Sequence, residues 1–230
     1  MNIEKRRGGF YWDGKTPYLS VTTILKCIDK PALMYWFGRE VYRAMLIDPS
    51  MVERDALAAP YRTSTKAKDR GSTVHSIVEA FKNTGEQIEI VNPAFRGYAT
   101  AFYDFMRDFK ADLLEQEKTV LSVKLGIAGT LDIYAKIGDL YYLIDVKTGK
   151  DVYQEAGLQL SAYKAMMLEE GKHVDRLAVL LLETGADNLP TGNYKFQTMT
   201  DDIEAFMACK KLYCYLNAEQ LLKVGYLDLR

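Results

Sequence analysis

Cysteine is scarce in this chain. Cys27, Cys209 and Cys214 are the whole complement, with no C-x-x-C pair, too few for a disulfide framework. They also fall one short of the four thiolates that a four-cysteine zinc site or iron–sulfur cluster draws from one chain, so no iron–sulfur cluster is expected. Histidine occurs only twice, as His75 and His173. Long hydrophobic runs are missing too: the longest, around Leu177–Leu182, is far below the ~20 residues of a spanning helix. The charged start Met1-Asn-Ile-Glu-Lys-Arg-Arg leads into no apolar segment of the kind a secretory signal needs. A cytoplasmic protein with no membrane partner is expected. Nor is there an excess of one charge, since 30 Lys and Arg face 31 Asp and Glu, a formal net charge of −1. That balance argues against a polycation that coats nucleic acid. It leaves room for a nucleic-acid enzyme whose acidic site offsets local basic patches.

What remains is ordinary globular material: 230 residues, 48% hydrophobic and 27% charged, enough for one domain with decorations. The most informative stretch is Gly126–Gly149, where two β-rich runs alternate around Gly138-Asp139. Glycine at the first turn position suits a two-residue type II′ loop. That loop pairs Ile137 with Leu140 and, counting outward, places Asp132 opposite Asp145. Opposed residues share a face with Cβ atoms roughly 5 Å apart, and Lys147 joins them by strand alternation. Two carboxylates that close repel unless a cation lies between them or one is protonated. A D-x-K pair by itself is as readily a surface ion pair. Here, however, both carboxylates end apolar strands, where a charge is costly unless paired or metal-bound.

Along the rest of the chain, residues 8–19 read as a short hairpin or loop with aromatic anchors, and Ser20 as the N-cap of a helix. Pro31 starts a second helix near Ala32–Leu46, with Leu33, Trp36, Phe37, Val41 and Ala44 at helical spacing. Core packing explains Trp36 at least as well as base stacking does. Pro49 and Pro60 mark breaks. Between Tyr61 and Gly71, Arg62, Lys66, Lys68 and Arg70 stand against one acid, Asp69, a local patch that suits phosphate contact or a solvated loop. A helix from Gly71 carries His75 and Glu79 at i, i+4. A second, from Pro93 through Phe95, Tyr98, Phe102, Phe105 and Phe109 to Leu113-Leu114, has an aromatic core stripe. A strand from Glu117 precedes the hairpin. Asp151 with Gln154 resembles a capping box opening a helix to Glu170 that carries Gln159 and Tyr163 on one face. Strands at Arg176–Glu183 and Tyr194–Met199 and a helix over 201–224 complete the chain. The order implies an α/β fold with a mixed sheet and an N-terminal helical part.

In order, Gly71-Ser-Thr-Val-His75, Glu117, Gly129-Thr-Leu-Asp132, Asp145-Val-Lys147-Thr-Gly and Gln159-Leu-Ser-Ala-Tyr163 resemble the PD-(D/E)xK nuclease superfamily, most nearly its RecB-like branch of phage-type and bacterial exonucleases. The resemblance covers roughly residues 20–163; each element is weak alone and the ordered set is specific. It implies a restriction-endonuclease-like core, a central mixed sheet flanked by helices, over 69–230; the N-terminal helical part over 1–68 has no place in that minimal core and is expected to roof the site. It implies Asp132, Asp145 and Lys147 as the catalytic set. His75, Asp132, Asp145, the carbonyl of Val146 and the more variable Glu117 would be the metal ligands, and Lys147 would orient or activate the attacking water. Gln159, Tyr163 and Thr148 would meet DNA in the site. Apart from the resemblance, an acidic site repels a polyanion until metal is bound, so the local basic groups Lys66, Lys68 and Arg70 are expected to direct DNA binding, with Trp36 of the roofing helices beside the strand. Hard oxygen ligands select Mg²⁺ or Mn²⁺, and one imidazole makes Mn²⁺ a good substitute. The expected activity is metal-dependent DNA exonuclease action on single-stranded or end-frayed DNA, in recombination, repair or phage DNA processing. The competing readings are a DNA-binding module on an inactive nuclease fold and a restriction-type endonuclease.

Overall fold

The protein is described by a computed structural model covering residues 3–6, 8–84, 92–186 and 189–226, with backbone only at 66–70, 72, 73, 79, 80 and 82–84. Its elements run β1 (Glu4–Arg6), β2 (Phe10–Trp12), β3 (Pro17–Ser20), α1 (Val21–Ile24), a 3₁₀ turn (Leu25–Cys27), α2 (Pro31–Ile47), α3 (Glu53–Thr84) and α4 (Pro93–Phe109). They continue with β4 (Asp112–Ser122), β5 (Ile127–Ile137), β6 (Leu140–Gly149), α5 (Glu155–Glu169), β7 (Arg176–Thr184), β8 (Pro190–Met199), α6 (Ile203–Leu216) and α7 (Ala218–Val224). The fold is α/β, with the eight strands in one mixed sheet flanked by helices. No helix among the described residues is long and apolar enough to cross a membrane.

The β5–β6 hairpin turns where its sequence says it should. Gly138 takes φ +59° and Asp139 stays out of the left-handed region, the signature of a type II′ turn, and Ile137 pairs with Leu140. The ladder then runs up to Ile133–Ile144 and stops. Beyond it, β5 leaves β6 and pairs in parallel with β3, Ile127 with Ala128 against Leu19 with Ser20. On that edge, Gly129–Asp132 pairs with neither neighbour. β4 runs antiparallel along the other edge of β5. β6 and β7 are parallel and joined through α5, the crossover that parallel strands require.

The apolar alternation of the strands decides where the helices go. Ile133, Ala135, Ile144, Val146, Leu180 and Leu182 form one core with Tyr98, Phe102 and Phe105 of α4 and with Val74 and Val78 of α3. Phe105 and Phe109 meet Tyr194 and Phe196 of β8 ring to ring. On the alternate positions of β6, Asp145 meets α5 instead.

Several expectations are corrected. α4 begins as expected, with Asn92 accepting from the Ala94 amide and Pro93 at its first turn, but it ends at Phe109 because Lys110 turns left-handed (φ +48°). Leu113 and Leu114 therefore belong to β4. α3 passes through Pro60 without a break. Ser20 precedes α1 but makes no side-chain cap, and Asp151 caps nothing, since α5 starts at Glu155. The chain divides into two compact units, residues 1–27 with 74–230, and residues 28–73. β2 and β3 belong to the sheet of the larger unit. In the smaller unit, Phe37 makes T-shaped ring contacts with Trp36 and Tyr61, and the α2 stripe is half-buried, while Leu33 is exposed.

Candidate active site

The site forms in the gap left where β5 and β6 part. Asp132 ends the unpaired stretch of β5, and its carboxylate turns toward β6, where Oδ2 accepts the Val146 amide at 2.7 Å. The side chain thus replaces a ladder bond. The two aspartates are accordingly not the directly paired cross-strand residues that the hairpin count implies, although the register leading to them is the one expected. Asp145 lies one residue past the end of the ladder on β6 and is 1% exposed; Asp132 is 8% exposed.

Burial and the Asp145 charge push the Asp132 carboxyl up from 3.8 to about 7, against the pull of Lys147, His75 and the Val146 amide. Lys147 Nζ lies 2.7 Å from Asp145 Oδ1, in a hydrogen bond, and 2.6 Å from Oδ2. The second contact is ionic and poorly directed, so Oδ2 is a buried oxygen with no hydrogen-bond donor among the described residues. Burial works to lower the Lys147 ammonium, but the charges of Asp145 and Asp132 outweigh it and hold the group above its usual value. Lys147 stays charged at neutral pH.

His75 reaches the site from α3. Its Nδ1 is 2.6 Å from Glu117 Oε1 and 3.8 Å from Asp132 Oδ1. The Glu117 hydrogen bond raises the imidazole pKa; burial opposes this, and the Asp132 charge adds to it. Glu117 stands at φ +45°, a left-handed conformation that costs a non-glycine residue on the order of 1–3 kcal/mol. Its neighbours Gln116 and Lys118 pair with Ile133 and Leu131, so Glu117 falls level with Asp132 in the ladder, unpaired and re-aimed. The strained backbone and the contact of this carboxylate with an imidazole are features that no spacing in the sequence carries.

Gln159 and Tyr163 lie on α5 beneath the carboxylates. Gln159 Nε2 donates to Asp145 Oδ1 at 2.8 Å and sits 3.4 Å from the Tyr163 hydroxyl. Both side chains are buried, at 9% and 3% exposure, so they support Asp145 and leave little surface for the DNA contact expected of them. Burial and the two aspartate charges raise the Tyr163 phenol well above its ordinary value.

One ligand atom each from His75, Glu117 and Asp132 lies within 4.8 Å of the others, a group that could hold a metal ion. The donors are two carboxylates and an imidazole, beside the buried Asp145 Oδ2, a set that fits a hard divalent cation. Val146 contributes its amide to Asp132, and Thr148 pairs with Leu182 in β6–β7. Lys66, Lys68 and Arg70 fall on the backbone of α3, with side chains outside the described residues, as is that of Glu79. Trp36 belongs to the smaller unit.

No protein-family model and no curated protein sequence matches the chain. Among solved structures it is similar to a candidate exonuclease of Eubacterium rectale, at 12% identity over 92% of this chain and 83% of that one, TM-score 0.49. It is also similar to LHK-Exo, an alkaline exonuclease of Laribacter hongkongensis, at 13% identity over 85% and 96%, TM-score 0.41. The LHK-Exo complex with dAMP matches at 15% over 68% and 83%, TM-score 0.31. With TM-scores below 0.5, these likenesses do not fix the function, which is read from the residues of the site.

Proposed function

We propose that this protein is a divalent-metal-dependent deoxyribonuclease that hydrolyses phosphodiester bonds, acting from the ends of single-stranded or frayed DNA. The observation that carries this reading is the buried pair Asp132 and Asp145 at a strand divergence, with Lys147 held on Asp145. Two buried carboxylates and a charged lysine are poor packing and good hydrolytic chemistry.

His75, Glu117, Asp132 and Asp145 are the residues that would hold Mg²⁺ or Mn²⁺. When bound, such an ion neutralises phosphate charge and lowers the pKa of water. The protein's own groups do the rest. Lys147, held charged beside Asp145, would supply the positive charge that favours hydroxide over water next to the ion. Gln159 and Lys147 both donate to Oδ1 of Asp145, so Oδ2, which lacks a hydrogen bond and has only the ionic contact with Lys147, is the oxygen that would ligate. The Val146 amide fixes one oxygen of Asp132, so that Oδ1 faces His75 and Glu117. Glu117 orients the imidazole through Nδ1.

A time course on end-labelled linear and closed circular DNA, with Mg²⁺, Mn²⁺ or EDTA, tests the proposal. Metal-dependent release of nucleotides from linear DNA supports it. Binding without turnover in either metal defeats it in favour of an inactive DNA-binding fold. Cleavage of closed circles reassigns it as an endonuclease.

A further inference from the structure

Gly129 stands in the unpaired stretch of β5, and what its position demands is space, since its φ is not left-handed. A Cβ there would lie 2.5 Å from Cε1 of Tyr163, 3.0 Å from its hydroxyl oxygen and 3.2 Å from Cζ. The closest approach is about 0.9 Å inside the 3.4 Å at which ordinary contact begins. The ring has nowhere to retreat, because Tyr163 is only 3% exposed. α5 cannot back away either. On its other side Gly157 leaves room for the Thr200 carbonyl, which a Cβ would meet at 3.1 Å, and Ser161 Oγ accepts the Asp202 amide at 2.9 Å.

The same helix carries Gln159, one turn before Tyr163, and Gln159 Nε2 holds Asp145 Oδ1 at 2.8 Å. We propose that Gly129 is a positioning residue: its missing side chain seats the Tyr163 ring against β5, and the depth of that seat sets where Gln159 holds the Asp145 carboxylate. Gly129 touches none of the reacting groups in this account and acts only through α5. The inference rests on the nuclease reading for its kinetic consequence and on geometry alone for its effect on the carboxylate.

The experiment compares Gly129→Ala, Tyr163→Leu and the double variant, well below their melting temperatures, by kcat and KM on linear DNA and by calorimetric titration with Mn²⁺. Gly129→Ala alone lowers kcat about a hundredfold, the cost of a misplacement on the order of 1 Å, with KM for DNA little changed and Mn²⁺ affinity weakened. Once the ring is gone, the added methyl has nothing to displace. The double variant therefore matches Tyr163→Leu in kcat and in Mn²⁺ affinity, a coupling that general loss of structure does not produce. Equal loss from Gly129→Ala in both backgrounds overturns the inference, as does a Gly129→Ala protein with wild-type kcat and Mn²⁺ affinity. If Gly129→Ala alone fails to fold, a folded double variant supports the seat and an unfolded one refutes it. A wild type that cuts no DNA defeats the nuclease reading only, since the Mn²⁺ titrations still report whether residues 129 and 163 are coupled through Asp145.

Discussion

Replacing Asp132 with asparagine should stabilise the metal-free protein while abolishing hydrolysis. Asparagine keeps the volume and an oxygen for the Val146 amide, and it removes the charge. In the fold that carboxyl is raised from 3.8 to about 7, chiefly by burial and then by the Asp145 charge. The fold therefore holds the proton more tightly than the unfolded chain does. Stability from this group is fully present below about pH 4, drains away as pH rises, and is gone above about pH 7. About three pKa units at about 1.4 kcal/mol each put the loss near 4 kcal/mol at pH 8. The Asp132→Asn variant does not incur it. For a chain of this size that corresponds to a melting temperature higher by about 8–16 °C. Thermal melts in EDTA at pH 5 and pH 8 are the assay. The gap between variant and wild type should widen by about 3 kcal/mol between them. A hundredfold excess of Mn²⁺ over Kd at pH 8 should narrow it by about 2.7 kcal/mol, because the wild type binds the ion and the variant does so poorly. A variant less stable than wild type at pH 8 in EDTA, or a gap that ignores pH, refutes the account of a buried Asp132 carboxyl raised by burial and by Asp145.

Lys147→Ala should lose hydrolysis and keep Mn²⁺ binding, since its charge is assigned to water; a titration showing affinity lost with the rate would reassign it. Mn²⁺ affinity should fall as pH drops below about 7, by up to about a hundredfold per pH unit, because Asp132 and His75, both raised, must each release a proton to bind; a pH-independent Kd between 6 and 8 excludes them as ligands. His75→Ala should weaken Mn²⁺ more than Mg²⁺, the imidazole being the softer donor, and an unchanged metal preference would leave His75 a structural partner of Glu117. Linear single-stranded DNA should be degraded and a closed single-stranded circle spared. The triple change Lys66→Ala, Lys68→Ala, Arg70→Ala should flatten the salt dependence of binding by roughly 0.7 in log–log slope per lost phosphate contact, and an unaltered slope would remove the patch from the DNA path.

The β5–β6 hairpin was legible in the sequence because everything that defines it is local. Gly138-Asp139 names the turn, a two-residue loop sets the pairing, and period-two alternation carries the register out toward Asp132 and Asp145. The α4 start at Pro93 was readable for the same reason, since the proline's fixed φ and missing N–H suit the first turn of a helix. Tertiary structure decided the rest. The sequence count puts Asp132 and Asp145 face to face, but β5 is claimed by β3 at one end and β6 at the other, and the carboxylate fills the gap between those claims. Glu117 is in sequence only the more variable member of the ligand set that the resemblance implies; its positive φ and its contact with His75, 42 positions away, belong to the fold. Gln159 and Tyr163 look like a groove wall in sequence and are a buried prop in the fold. Gly129 needs no special backbone conformation, only the room that Tyr163 takes up. Turns, caps and alternation depend on neighbours a few residues away and are written in order along the chain. A divergence of strands, a strained ligand and a clearance are set by which distant elements compete for the same space, and that competition is settled only when the sheet closes.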